Sequence, residues 1–385
     1  MNQLIEIGSI FIQSIFSIIK APIFWILILI LYLQYNRLGK IERKVLGGNK
    51  QSIYERIVYS TLSGILGGVL GSIIMLILRI TVEIDDFGLI FILALLLMLI
   101  NPRFLCFSYS GGIVSLVSLI FGYPDIDVSS IMAIVAILHL IESFLIRADG
   151  YKTRIPMFID REGATVGGFN MIRYWPVPFI ILMPSNQTIL MGGVIAALGY
   201  GDMTFTEYPK DKAIQSSKRL FVYSMVLLAL SVLSAKVYFL KFIAALFAPL
   251  AHEFLIQYSR KKERSRKPIF TPVNNGVRVL ETKRDGIAEK LGIKMGDVIL
   301  SINGIKVGSV EQMRNILNNI SSYIWIDYYN RNGQLVNKDY CDYKNGIKDL
   351  GILVVPKYSP YVFDIDQQQG FIIKAYKWVK RKLAI

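Results

Sequence analysis

The chain has 385 residues, of which 53% are hydrophobic and only 18% charged, with 43 Lys and Arg against 28 Asp and Glu. Soluble domains average about 25% charged residues. Here the apolar residues gather into runs within the first 256 positions, which excludes a soluble enzyme, a disordered tail protein and a disulfide scaffold. The formal charge of +15 sits beside the apolar runs, which is membrane-protein usage and not a nucleic-acid footprint.

A bilayer core about 30 Å thick needs roughly 20 apolar residues per helical span. By this measure residues 1–257 form a multi-span domain of six to eight helices, with spans near 57–80, 87–100, 104–121, 128–146, 219–237 and 239–257. Residues 5–35 add one long tilted span, or two shorter helices broken at Lys20-Ala21-Pro22. Residues 176–200 carry Pro176, Pro178, Pro184 and Gly192-Gly193, and prolines at that spacing interrupt a helical ladder. The expectation there is a re-entrant or broken segment, tolerated at membrane depth only where protein or water satisfies the freed groups. No basic stretch precedes the first apolar run and no small-residue cleavage site follows it, so no cleavable signal peptide is expected.

The loops set the orientation. Arg37, Lys40, Arg43, Lys44, Lys50 and Arg56 cluster after the first run. Arg147, Lys152, Arg154, Arg161 and Arg173 lie in the connector, and Arg260 to Lys267 follow the last span. The turns at Glu83, Asp85, Asp86, Asp125 and Asp127 are acidic. Lys and Arg excess marks the cytoplasmic side, which places the basic loops, a basic linker at 258–267 and everything after it in the cytoplasm.

From Pro268 the pattern changes to short alternating runs. Val277 and Val279 alternate as a strand, 287–291 make a short helix ended by Gly292, and 297–302 form a strand. Asn303-Gly304 supplies a tight turn. Ser309 caps a helix with Val310, Met313, Ile316, Leu317 and Ile320 on one face. A hairpin follows over 323–329 and 334–340. The run from Asp285 to Gly304 closely resembles a bacterial PDZ domain, giving a small α+β PDZ domain at 268–345 after the polytopic α-helical part. The resemblance implies capture of an extended peptide as an added strand with a helix as the second wall. It further implies that the loop at Asn274, Asn275 and Gly276 receives a terminal carboxylate, that Val277, Arg278 and Val279 pair with the peptide, and that Met313, Ile316 and Leu317 line the side-chain pocket. The plainer alternative makes those last three ordinary core residues.

His252-Glu253-Phe254-Leu255-Ile256 begins like a zinc-protease motif but lacks the second histidine four residues on. His139 is the only other histidine, and Cys106 and Cys341 stand at no ligand spacing, so no metal and no cofactor is expected. His252 and Glu253 are expected to satisfy each other or to reach the cytoplasmic interface near the helix end. A Ser110–His139 dyad lacks the glycine two residues before the serine that rhomboid proteases carry, and small-residue helix packing explains Ser110, Gly111 and Gly112. Glu142 and His139, three apart on one helix face, read as a structural pair. A transporter would show more such groups or internal repeats.

Residues 346–385 form an extension ending in a basic amphipathic helix from about 370, suited to an anionic leaflet or to packing back on the PDZ domain. Taken in order, Asn101 to Gly112, Arg173-Tyr174-Trp175-Pro176-Val177-Pro178, Leu198-Gly199-Tyr200-Gly201-Asp202, Ala251-His252-Glu253 and the PDZ run resemble the MinJ-type topological determinants of bacterial cell division. The resemblance implies a non-enzymatic adaptor at septa and poles, linking the pole protein DivIVA to the MinD ATPase. Apart from the resemblance, two-dimensional confinement and homo-oligomers would raise the effective concentration of a peptide-binding groove. A PDZ-containing membrane protease and a transporter with a regulatory PDZ domain are the competing readings.

Overall fold

A computed structural model describes residues 2–185 and 188–358. The first apolar stretch is two helices, α1 (Asn2–Lys20) and α2 (Pro22–Leu46), broken at Ala21, whose extended backbone meets Pro22 in the first helical turn. They are followed by α3 (Ile53–Leu78), α4 (Ile84–Ile100), α5 (Phe107–Phe121) and α6 (Val128–Asp149). Among the described residues, five helices are long and apolar enough to cross a membrane: α2, α3, α6, and the later α7 (Pro209–Ser234) and α8 (Tyr238–Ser265). α6 packs on α3, α5, α7 and α8. Its apolar residues run all round the helix, as a central position requires, and Ile131 to Ile141 are all buried.

The span expected from residue 104 starts later. Pro102–Leu105 form a 3-10 turn, with the Asn101 side chain accepting the Arg103 N–H at 3.2 Å. Cys106 is thereby the cap residue of α5. The linker expected at 258–267 is also different, because α8 runs on to Ser265. Its basic residues sit at the helix C-terminus, where the dipole favours them, and Glu263 is held by Lys212 Nζ at 2.9 Å and by the N–H groups of Phe205 and Thr206.

The segment expected to be a broken span is β-structure. Strands β1 (Arg154–Arg161), β2 (Ala164–Ser185) and β3 (Thr188–Thr204) form an antiparallel sheet in that order. β1 pairs with β2 only as far as Met171, so beyond it β2 is an edge strand on that side. The N–H groups of Ile172, Tyr174 and Ile180 point out of that edge, to Thr153 O, Tyr35 OH and Ser72 Oγ. Pro176, Pro178 and Pro184 share their parity, so each lacks only an outward N–H and the ladder to β3 survives. β2 lies along α3 from Gly64 beside Pro176 to Gly68 beside Pro178, and past the helix end Thr81 bridges Leu182. The hairpin thus follows the C-terminal part of that helix, its outward groups met by Tyr35 and Ser72.

Beyond α8 lies a second sheet. It contains β4 (Val277–Thr282), β5 (Val298–Ile302), β6 (Ile305–Lys306), β7 (Tyr323–Tyr329), β8 (Leu335–Cys341) and β9 (Ile352–Val354). Short α9 (Ile287–Lys290) and α10 (Val310–Asn318) complete the unit. The strand order is β8-β7-β5-β4-β9, with β6 on β5. Val279, Ile299, Ile302, Ile324 and Ile326 are fully buried in one core with Met313 and Leu317 of α10. The sheet reaches past residue 345, where the sequence placed its end, because β9 pairs with β4.

This unit is docked on the basic end of the helical part. Leu280, Met295 and Val355 pack with Phe158 and Phe169 of the first sheet around Phe270, and the Gly167 N–H donates to Phe270 O at 2.8 Å. Glu281 accepts from Lys50 at 2.5 Å and from Arg154 at 2.7 Å, and Arg284 reaches Glu55 at 2.7 Å. The expected amphipathic helix from residue 370, and with it the lipid-facing role, lies outside the described residues.

Candidate functional site

The loop and strand expected to hold a peptide are placed as follows. Asn274 and Asn275 are exposed, while Gly276 is buried with φ +105°. A Cβ at Gly276 would lie 2.5 Å from Ile299 O, so β4 starts pressed against β5. Val277 and Arg278 pair with Ile299 and Val298. On the other side, Val355 N–H donates to Arg278 O at 2.9 Å and Val279 pairs with Val354. Both edges of β4 are therefore occupied, and the expectation that Val277–Val279 pair with a ligand is corrected. An incoming strand needs unpaired N–H and C=O groups, and these residues have spent theirs.

The outermost strand on this side is β9. Lys283 N–H donates to Gly351 O at 2.7 Å and Val355 N–H to Arg278 O, so Gly351 and Val355 face β4. By alternation, the N–H and C=O groups of Ile352 and Val354 point the other way. Among the described residues no strand lies beyond them. The turn before β9 is Asp349-Leu350-Gly351, with Gly351 at φ +70° and Leu350 fully buried. Lys283 Nζ is 2.8 Å from Asp349. Burial pushes the Asp349 carboxyl up, but Lys283, the Gly351 N–H and Arg314 of α10 outweigh this and hold it below the ordinary value. Lys283, paired with Asp349, thus stands at this turn.

Met313 and Leu317 are buried in the core that contains Leu350 and Val354, and Ile316 is half-buried at its margin. α10 therefore shares a core with β9, with two of its three predicted pocket residues serving as core. Sequence reasoning missed Leu350 to Val354. The signal available was the apolar run around Gly351 just past the assigned boundary.

A second constellation lies in the helical part. Cys106, His139 and His252 present one donor atom each, all within 4.8 Å of one another. Cys106 Sγ is 3.0 Å from His139 Nε2 and 3.6 Å from His252 Nε2. Ser108 Oγ lies 3.1 Å from His139 Nε2 and 2.7 Å from Tyr223 OH, which itself donates to Ala248 O. His252 and Glu253 do not satisfy each other as expected: Glu253 accepts from Tyr109 OH at 2.7 Å and pairs with Arg103 at 3.1 Å. His139 likewise bonds Cys106, Ser108 and Val135 O, while Ser110 Oγ is buried with no partner and forms no dyad. The sequence could not show this cluster, because its members come from three helix segments distant along the chain.

The architecture defines a membrane protein of several apolar helices carrying a PDZ domain. A family model for the PDZ domain matches residues 278–320. The chain is similar to the cell division topological determinant MinJ of Bacillus subtilis, 23% identical over 225 residues, which are 54% of this chain and 57% of MinJ. It thus spans little more than half the length of that relative. The MinJ-type resemblance read from the residues is borne out at that level. Among solved structures, it is similar to the PDZ domains of the SdrC-like proteins of Listeria innocua and Listeria monocytogenes, each 24% identical. These matches cover 21% and 22% of this chain and 93% and 90% of theirs, with TM-scores of 0.18 and 0.19.

Proposed function

We propose that the chain is a non-enzymatic membrane adaptor of the division machinery that captures an extended peptide along the outer edge of β9. The observation that carries this reading is the outward ladder of Ile352 and Val354 beside α10, at the one edge of the β4 side left open among the described residues. Main-chain pairing would supply affinity, and Lys283 would draw a terminal carboxylate to the turn at Gly351. The similarity to MinJ supports the division role, and by that resemblance a DivIVA-like pole protein and the MinD ATPase are the partners. The basic loops support a cytoplasmic position for the PDZ domain. It is held against the basic end by Glu281, so a captured partner would sit close to the membrane surface.

Imaging of a C-terminal fluorescent fusion in dividing cells tests this. Enrichment at septa and poles is expected, with loss on truncation after Lys267. A uniform membrane signal from the intact fusion would sink the division role.

A further inference from the structure

We infer that Cys106, His139 and His252 form a zinc centre that joins the turn before α5 to α6 and α8. Tetrahedral zinc takes Zn–S near 2.3 Å and Zn–N near 2.0 Å, which puts sulfur and nitrogen about 3.5 Å apart. The two Sγ–Nε2 distances of 3.0 and 3.6 Å bracket that spacing. A thiolate with two imidazoles is a donor set for zinc and not for magnesium or calcium.

The imidazoles are also held as metal ligands are held. His139 Nδ1 donates to Val135 O at 2.7 Å, which fixes its proton there and leaves the unprotonated Nε2, with its lone pair, on the side of the sulfur. His252 Nδ1 lies 3.4 Å from Tyr109 OH, which donates to the Glu253 carboxylate. Such outer partners orient ligating histidines and raise their basicity.

A hydrogen-bonded triad accounts for the geometry less well. A thiol has one proton and is a weak donor, so it serves one imidazole at a time. The Ser108 hydroxyl at 3.1 Å can serve His139 Nε2, but that does not account for both Nε2 atoms converging on one sulfur, with His139 only 3% exposed. With zinc, the Cys106 proton leaves to solvent and the thiolate and both neutral imidazoles share one cation. Ser108 Oγ or a water completes the tetrahedron. The centre would fix Cys106 at the start of α5 against α6 and α8, both of which pack on α5.

The test uses the full chain, purified in detergent with a histidine-free tag. About one zinc per chain is expected by elemental analysis. After chelation, cobalt(II) chloride should restore a thiolate-to-cobalt charge-transfer band with strong tetrahedral d–d bands. Cys106→Ser and His252→Gln should each lower retained zinc at least tenfold, while Cys341→Ser, at the exposed second cysteine, should retain it. Zinc retention equal in all four proteins, or a cobalt spectrum without a Cys106-dependent charge-transfer band, would overturn the centre. Alkylation supplies a readout that does not depend on the folding of either ligand variant. In the chelated Cys341→Ser protein, zinc sulfate should slow maleimide modification of Cys106 at least tenfold, and an unchanged rate would also overturn it.

Discussion

Gly68 of α3 rests directly on the backbone of Pro178 in β2. A Cβ at Gly68 would overlap the Pro178 carbonyl oxygen, and one at Gly64 would overlap that of Pro176. Helix and strand meet backbone to backbone, as small residues permit in membrane proteins. The Gly68→Ala change must therefore push the hairpin off α3 against a neighbour that is backbone and cannot rotate away. Overpacking of this kind costs about 1–3 kcal/mol, so the detergent-solubilised melting midpoint should fall by several degrees. Gly88→Ala, where a Cβ meets nothing within 4 Å, should leave it unchanged. Equal midpoints for the two variants would mean that the hairpin does not lie on α3.

Docking of the PDZ domain should weaken in acid. Burial pushes the Glu281 carboxyl up, but Arg154 and Lys50 outweigh it and hold it below the ordinary glutamate value. A depressed carboxylate contributes stability that is present above the ordinary value and is lost as pH falls through the depressed one. The contact should thus be intact from neutral pH to about 5 and loosen below about 4.3. Glu281→Gln should mimic the acid state at neutral pH. Glu281 is 3% exposed and its partners 26% and 16%, and breaking a buried pair costs about 3–5 kcal/mol, discounted here because Lys50 is partly solvated. Hydrogen exchange at residues 267–272 should rise in the variant, and no rise would show that the apolar contacts around Phe270 suffice.

What the sequence made legible follows from the range of each interaction. The helix break marked by Pro22 is local, and the patterning of β5, β7 and α10 against one core is nearly so. The hairpin at 164–204 was not legible, because its prolines look the same whether they break a helix or line an outward strand edge. That distinction depends on where pairing with β1 stops, at Met171 of β2. The PDZ edge was misassigned for a related reason. Val277 and Val279 read as a half-buried strand, and only the return of Ile352–Val354 beside them shows that their second edge is taken. The Cys106–His139–His252 cluster depends on three helix segments folding together.

Asp149 organises the inner end of α6. Its carboxylate accepts from Arg173 Nε at 3.1 Å, Arg173 Nη2 at 2.5 Å and Trp175 Nε1 at 3.0 Å. Arg173 and Trp175 are each 1% exposed and Asp149 is 2% exposed. Asp149→Asn keeps the shape but leaves a buried guanidinium without its counter-charge, at a cost of about 3–5 kcal/mol. Tryptophan fluorescence should report loss of the packed site, and the folded yield in detergent should drop severely. The pair Asp149→Asn with Arg173→Met should recover part of it, because two neutral groups replace one unpaired charge. No recovery would place the loss in the Trp175 bond or in packing.

Ligand capture on β9 makes a prediction that separates the strand's two sides. The Ile352 N–H points away from β4, so Ile352→Pro deletes a group that only a bound peptide would use. Proline is tolerated at an edge with its missing N–H outward, and stability should change by less than about 1 kcal/mol. Affinity for a peptide selected against the full chain in nanodiscs should fall at least tenfold, about 1.4 kcal/mol, by fluorescence polarisation. Amidating the peptide's C-terminus should weaken binding as well, and Lys283→Ala should abolish that difference if the cation at the turn reads the carboxylate. Leu353→Pro removes a group that faces β4 and should instead unfold the edge, seen as raised hydrogen exchange at Thr282 and Lys283. Unaltered peptide affinity in a folded Ile352→Pro protein would move the ligand site off β9 altogether.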